Sequence, residues 1–166
     1  MDVSLRSVGL VLLLLSVTGE VHGQGWFRGR ISLQMEGSTI EKSVAPGMHL
    51  DAKMQVGGQY SLVGGMGGAA YVLEGRRSGT YTFDPTLTLQ ITRPSRSLGA
   101  NTFSVGGGYH YSSGNQGIGW APSAHVGIGR LWTLRDSTLF VDLRPTAVIR
   151  GEGLSMRLPL RAGVVF

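Results

Sequence analysis

Beyond residue 26 the chain keeps a two-residue rhythm. Phe27, Gly29, Ile31, Leu33 and Met35 alternate with Arg28, Arg30, Ser32, Gln34 and Glu36, and Met48, Leu50, Ala52, Met54 and Val56 with His49, Asp51, Lys53 and Gln55. Successive side chains of a strand point to opposite faces, so each segment predicts a strand with two chemically different sides. The same rhythm sets Tyr81, Phe83, Leu87, Leu89 and Ile91 against Thr82, Asp84, Thr86, Thr88, Gln90 and Thr92. It sets Phe103, Val105, Tyr109 and Tyr111 against Ser104 and His110, and keeps Trp120, Ala124, Val126, Ile128 and Trp132 in one register. Leu139, Val141, Leu143, Ala147 and Ile149 then oppose Asp142, Arg144, Thr146 and Arg150. The last segment alternates Met156, Leu158, Leu160, Ala162 and Val164 with Arg157 and Arg161, and ends on Phe166. No segment carries a 3.6-residue apolar stripe, and 27 glycines argue against long helices.

The glycine-rich stretch YSLVGGMGGAAYVL leaves room for one further strand whose facing cannot be read, which makes eight. The intervening segments fall into two sets, 37–47, 74–79, 112–119 and 151–155 at one end and 57–58, 94–101 and 133–138 at the other. Pro145 and Pro159 lie within strands and cannot donate to a ladder, so bulges are expected at both.

Alternation alone does not say which face is wet. A soluble sheet buries its apolar side, whereas a transmembrane barrel turns that side to lipid and its polar side inward. Composition favours the barrel: two lysines stand against thirteen arginines, and the planar guanidinium suits enclosed pairing with carboxylates. The aromatics fall into two bands, with Phe27, Trp132 and Phe166 near one rim and Trp120 near the other. Twelve residues of tilted strand between Trp120 and Trp132 span roughly 30 Å, the spacing of two interfacial girdles. In lipid every backbone polar group must be paired, which only a closed sheet achieves. The expected fold is an eight-stranded antiparallel up-and-down transmembrane β-barrel over residues 24–166, with both termini in the periplasm.

The N-terminus adds the route. Arg6, an apolar run from Val8 to Val17 and the small-residue site Val21-His22-Gly23 have the layout of a cleaved signal peptide over residues 1–23, and the run is too short to span a membrane as a helix. There is no cysteine, so the exported domain is stabilised by its fold alone. The formal charge of +5 comes from singly scattered arginines rather than a clustered face, which argues against nucleic acid.

The closing strand MRLPLRAGVVF, with Leu158, Leu160, Ala162 and Val164 alternating up to a terminal Phe166, resembles the C-terminal signal of bacterial outer-membrane β-barrel proteins. The pattern of residues 24–166 resembles the small eight-stranded barrels of the OmpA and OmpX kind. That resemblance implies an integral outer-membrane location, lipid and lipopolysaccharide as surroundings, and recognition of the last strand by the barrel assembly machinery. The sequence does not give the oligomeric state, and a monomer is expected.

Eight strands enclose a space that side chains can fill. The polar residues expected to fill it are Arg28, Arg30, Glu36, Asp51, Lys53, Asp142, Arg144, Arg157 and Arg161. His49 reads as a further lumenal residue, and glycine runs such as VGGMGG as relief of crowding inside the barrel. No metal or cofactor set is legible. GGYHYSSGN places His110 two residues before Ser112 and resembles the His-Tyr-Ser segment of outer-membrane lipid A deacylases, but no carboxylate lies between Ser113 and Arg135 to orient the histidine. The expectation is therefore a non-enzymatic barrel acting in envelope integrity or surface interaction, through loops such as GSTIEKSVAPG and EGRRSG with Arg76 and Arg77. The alternatives are a deacylase-like hydrolase using His110 and Ser112, and a secreted soluble barrel of the lipocalin kind.

Overall fold

The computed structural model describes residues 27–39, 43–71, 79–95, 99–113, 119–134, 137–151 and 153–166. The expected signal segment, the connection carrying Arg76 and Arg77, and the tips of the other long connections lie outside the described residues. Those described form β1 (Phe27–Ser38), β2 (Ser43–Gly57), β3 (Tyr60–Tyr71), β4 (Thr80–Pro94), β5 (Ala100–Ser112), β6 (Gly119–Leu134), β7 (Ser137–Leu143), β8 (Thr146–Arg150) and β9 (Gly153–Val165). All pairings are antiparallel, between chain neighbours except where β7 and β8 share one stave, and β9 returns to β1 with Arg30 opposite Val165 and Ser38 opposite Arg157. β7 and β8 both lie between β6 and β9, one above the other, so the nine strands make eight staves of a closed barrel.

The break between β7 and β8 falls on Arg144 and Pro145, and no bulge accompanies it. Leu143 faces Leu160 and Thr146 faces Arg157, so the register across the gap, which includes Pro159 on β9, is unshifted. The bulges expected from the sequence are absent because both prolines still accept: Arg144 N–H donates to Pro159 O at 3.0 Å and Val126 N–H to Pro145 O at 3.2 Å. Pro159 has no N–H to return to Arg144, and the Arg144 carbonyl accepts instead from the Thr146 hydroxyl at 2.9 Å. A local hydroxyl replaces the missing donor, and the ladder pauses without slipping.

The first long connection is also shorter than the sequence suggests. Gly37 pairs with Val44 and Ser38 with Ser43, so the pairing of β1 with β2 extends well into the 37–47 segment. Val44 is exposed and Ala45 fully buried, so the strand alternation runs on through Ala-Pro-Gly, with Pro46 outward opposite Met35. At the end that also holds Phe27 and Phe166, β2 and β3 are joined by a tight turn. Gly58, at φ +50°, adopts the left-handed turn that joins β2 to β3.

The barrel is inside out relative to a soluble protein. Among the described residues, 22 polar or charged side chains are buried against 8 apolar ones, while Leu33, Leu50, Leu87, Val105, Val126, Ile128 and Leu160 are exposed on the outer wall. β3 resolves the facing that the sequence left open. Ser61, Val63, Gly65, Gly67, Ala69 and Tyr71 point inward, so its inner surface is small at the centre. A Cβ on Gly65 would lie 2.1 Å from Asp51 Oδ1 and one on Gly67 2.2 Å from His49 Cδ2. Those glycines leave the space that the β2 side chains occupy.

Candidate functional site

Charged residues are almost never fully buried unless paired. Here four arginines and four carboxylates are buried together among the described residues: Arg30, Arg144, Arg157 and Arg161 with Glu36, Asp51, Asp84 and Asp142. They form two groups stacked along the interior.

The group nearer the long connections centres on Arg157 of β9. Its Nε donates to Glu36 Oε1 at 2.8 Å and its Nη2 to Glu36 Oε2, so the guanidinium grips β1 across the closing seam. The other edge reaches β4, with Nη1 2.5 Å from Asp84 Oδ1 and Nη2 2.8 Å from Asp84 Oδ2. The planar fork thus bridges two carboxylates at once. The Tyr71 hydroxyl donates to Glu36 Oε1, and the Gln34 amide to Glu36 Oε2 at 3.3 Å. His110 Nδ1 completes the group, 2.6 Å from Asp84 Oδ1 and 2.7 Å from Arg157 Nη1.

The second group lies toward the termini and centres on Asp142. Arg161 binds it through Nε at 2.7 Å and Nη2 at 2.5 Å, while Arg30 Nη2 and Arg144 Nη2 each stand 3.5 Å from Asp142 Oδ2. Asp51 sits 3.7 Å from both Arg30 Nε and Arg161 Nη1, and its Oδ1 is 3.0 Å from His49 Nδ1. Arg30 also donates to Gln90 Oε1 at 3.0 Å and lies over the Phe140 ring at 4.0 Å. Stacking a guanidinium on an aromatic face is favourable where water is excluded. His125 Nε2 is 2.9 Å from Thr88 Oγ1. Between the groups a cavity of about 30 Å3, lined by His49, His125, Arg144, Thr146 and Arg161 among others, has room for about one water molecule.

Of the residues singled out from the sequence, Arg30, Glu36, Asp51, Asp142, Arg144, Arg157 and Arg161 meet in these groups. Arg28 and Lys53 do not. They face each other across β1 and β2 at the mouth near the termini, where Arg28 is exposed and Lys53 half-buried. Asp84, Tyr71, Gln90 and Phe140 join the interior without having been singled out. Asp84 was readable from its place between Thr82 and Thr86, whereas Tyr71 carried no signal because glycine-rich β3 hides its register.

The His110 and Ser112 pair gains the carboxylate it lacked, but from β4 rather than from downstream. Both side chains point into the interior and are 2% exposed. Arg157 holds the same carboxylate from the other side, which makes Asp84 one arm of an ion-pair network. Ser112 is shut away from any lipid outside the wall.

The outer face carries the aromatic bands. Phe83, Tyr111 and Trp120 form one cluster near the long connections, Phe83 edge-on to Trp120 with centroids 6.1 Å apart and Tyr111 at 5.3 Å. Phe27, Trp132 and Phe166 lie toward the opposite end, with Phe166 73% exposed.

A closed eight-stave barrel with a charged interior and an apolar wall defines a small transmembrane β-barrel. No protein-family pattern and no curated protein sequence matches the chain. Its fold is similar to that of Neisserial surface protein A, at 7% identity over 84% of this chain and 94% of that one, with a TM-score of 0.66. It is also similar to the N-terminal β-barrel domain of Pseudomonas aeruginosa OprF, at 13% identity over 86% and 100% with a TM-score of 0.52. The Yersinia pestis outer membrane protein Ail in a phospholipid bilayer nanodisc is a third such structure, at 13% identity over 84% and 99% with a TM-score of 0.50. At these identities the likeness is one of architecture.

Proposed function

We propose that the chain is exported by its N-terminal segment and resides as a monomer in the outer membrane, with both termini in the periplasm. Its interior is closed by ion pairs, and it acts in envelope integrity or surface contact rather than catalysis. The observation that carries this reading is the pairing of four buried guanidiniums with four buried carboxylates inside an apolar wall. Side chains so bonded leave no continuous path for solutes, and hydrocarbon outside is the environment that an apolar wall fits. The architectural likeness to Ail, an outer membrane protein in a bilayer, supports the location.

On this reading the assembly machinery recognises the closing strand through Leu158, Leu160, Ala162, Val164 and Phe166. The long connections, including Arg76 and Arg77, face lipopolysaccharide and other surface partners. Fractionation with gel mobility before and after boiling tests the location: a membrane-fraction protein whose unboiled form migrates faster is expected, and a water-soluble product indifferent to heating overturns it. Reconstitution into planar bilayers tests closure, and steady pore conductance would refute it. Replacing Arg76 and Arg77 with glutamine tests the outward role, through outer-membrane permeability and surface binding. Unchanged values in both would remove it. Ser112→Ala is expected to leave the acyl chains of lipid A as they are, and accumulation of acyl chains that the unmodified protein would release would reinstate the hydrolase.

A further inference from the structure

The two interior groups are not separately neutral. Toward the termini Arg30, Arg144 and Arg161 meet Asp51 and Asp142, three guanidiniums to two carboxylates, whereas in the other group Arg157 alone meets Glu36 and Asp84. Arg144 carries the surplus. Arg161 holds both oxygens of Asp142 at 2.7 and 2.5 Å, which leaves Arg144 Nη2 at 3.5 Å from Asp142 Oδ2. The charges that act on Arg144 are those of Arg161, Asp142, Asp51 and Arg30. Its side chain is buried, yet Nε and Nη1 have no hydrogen-bond acceptor among the described residues. Arg161 Nη1 also lacks one, standing 3.7 Å from Asp51 Oδ2. A buried guanidinium with unmade hydrogen bonds and no carboxylate of its own is costly.

Arg144 and Arg161 both line the cavity of about 30 Å3 between the groups, as does Thr86, whose hydroxyl has no hydrogen-bond partner among the described residues. Glu36 and Asp84 line it too, but Arg157 grips both, and Tyr71, Gln34 and His110 occupy them further. The unmade bonds at the cavity are therefore those of guanidinium N–H donors and of a hydroxyl that can turn its hydrogen inward. A water molecule would bring two more hydrogens to that set and cancel no charge. A monatomic anion accepts from every donor and supplies the missing negative charge, and a space of about one water molecule's share of the liquid is too small for phosphate or sulfate. We propose that the cavity binds a single halide, chloride in ordinary aqueous surroundings, held by Arg144 Nε and Nη1, Arg161 Nη1 and the Thr86 hydroxyl. The ion ties β4 and β9 to the break between β7 and β8, where Pro159 has no N–H to give and the ladder pauses. The proposal rests on the closed interior described above and does not depend on which membrane holds the barrel.

Urea unfolding of the full chain in phosphatidylcholine liposomes tests the site, with chloride exchanged for gluconate at fixed ionic strength. Gluconate is too large for the cavity. Because the ion binds only the folded state, the folded-to-unfolded ratio is expected to rise about tenfold for each tenfold increase in chloride once the site is mostly filled. Arg144→Met keeps the stem and removes the surplus charge, and it is expected to abolish that dependence. Arg28→Gln removes a charge at the mouth and is expected to keep it. A parent protein indifferent to chloride, or an equal dependence in Arg144→Met, overturns the site. Planar bilayers separate this failure from that of the closed interior: indifference to chloride without steady current overturns the site alone, whereas steady current overturns the closed interior and the resident ion together. Should Arg144→Met fail to fold, the unsubstituted protein decides. Folded and crystallised in bromide, it is expected to show an anomalous peak in contact with Arg144 and Arg161, and a water molecule in that place overturns the halide assignment.

Discussion

Gly29 and Phe166 exchange two backbone hydrogen bonds, each of 3.0 Å, and the phenyl ring lies where a side chain on Gly29 would be. Phe166 is thereby bonded to the start of β1, extending the seam that closes the barrel. A Cβ on Gly29 would stand 2.6 Å from Phe166 Cε2. Gly29→Val is therefore expected to displace the ring and destabilise the folded barrel by about 1–3 kcal/mol, measured by urea unfolding in lipid. Deleting Phe166 removes the ring and the reciprocal bonds together, and folded yield in the membrane fraction should fall further than in Gly29→Val. Equal yields from the two variants and the parent would contradict a role for this contact in closure.

Arg157 joins β9 to β1 and β4 through Glu36 and Asp84. Removing it strands two buried carboxylates, so Arg157→Leu should destabilise by about 3–5 kcal/mol, as for other broken buried pairs. Replacing Glu36, Asp84 and Arg157 together with apolar residues of similar volume should recover much of that loss. Equilibrium unfolding of the two variants is the check, and a triple variant weaker than Arg157→Leu would contradict the account.

Two adjacent glycines on β3 face opposite ways. Gly65 points at Asp51, where a methyl would overlap the carboxylate, whereas nothing lies within 4 Å of the position a Cβ on Gly64 would take. Gly65→Ala should cost about 1–3 kcal/mol and Gly64→Ala less than about 0.5 kcal/mol. A reversed order would mean that β3 sits in the other register.

Depth along the wall gives a fourth expectation. Val126 is exposed midway between Trp120 and Trp132, and Leu134 is exposed at the end of β6. In a bilayer, Val126→Arg should cost about 2–4 kcal/mol and Leu134→Arg about 0–1 kcal/mol. The two should cost the same in a soluble barrel, and unfolding from liposomes distinguishes the cases.

The number of staves and, outside β3, the residues that share each face were legible in the sequence, because a period of two is a local property that needs no knowledge of partners. Closure followed from the apolar outer face, since lipid leaves no unpaired edge. Three matters depended on the tertiary structure. Pro145 and Pro159 lie near one another on adjacent staves, and the Thr146 hydroxyl takes up the Arg144 carbonyl, so the ladder pauses where a bulge was expected. Ala-Pro-Gly at residues 45–47 reads as a loop by composition, but pairing with β1 holds it in the sheet. Arg157 meets Glu36 across 121 residues and Asp84 across 73, and such partners are fixed by stave order and register. Outside glycine-rich β3, the sequence by itself determined which residues face inward, since alternation is written residue by residue; in β3 the structure decided it. Which of them touch was decided only when the staves closed in one register, because contact across a barrel is a property of the whole ring.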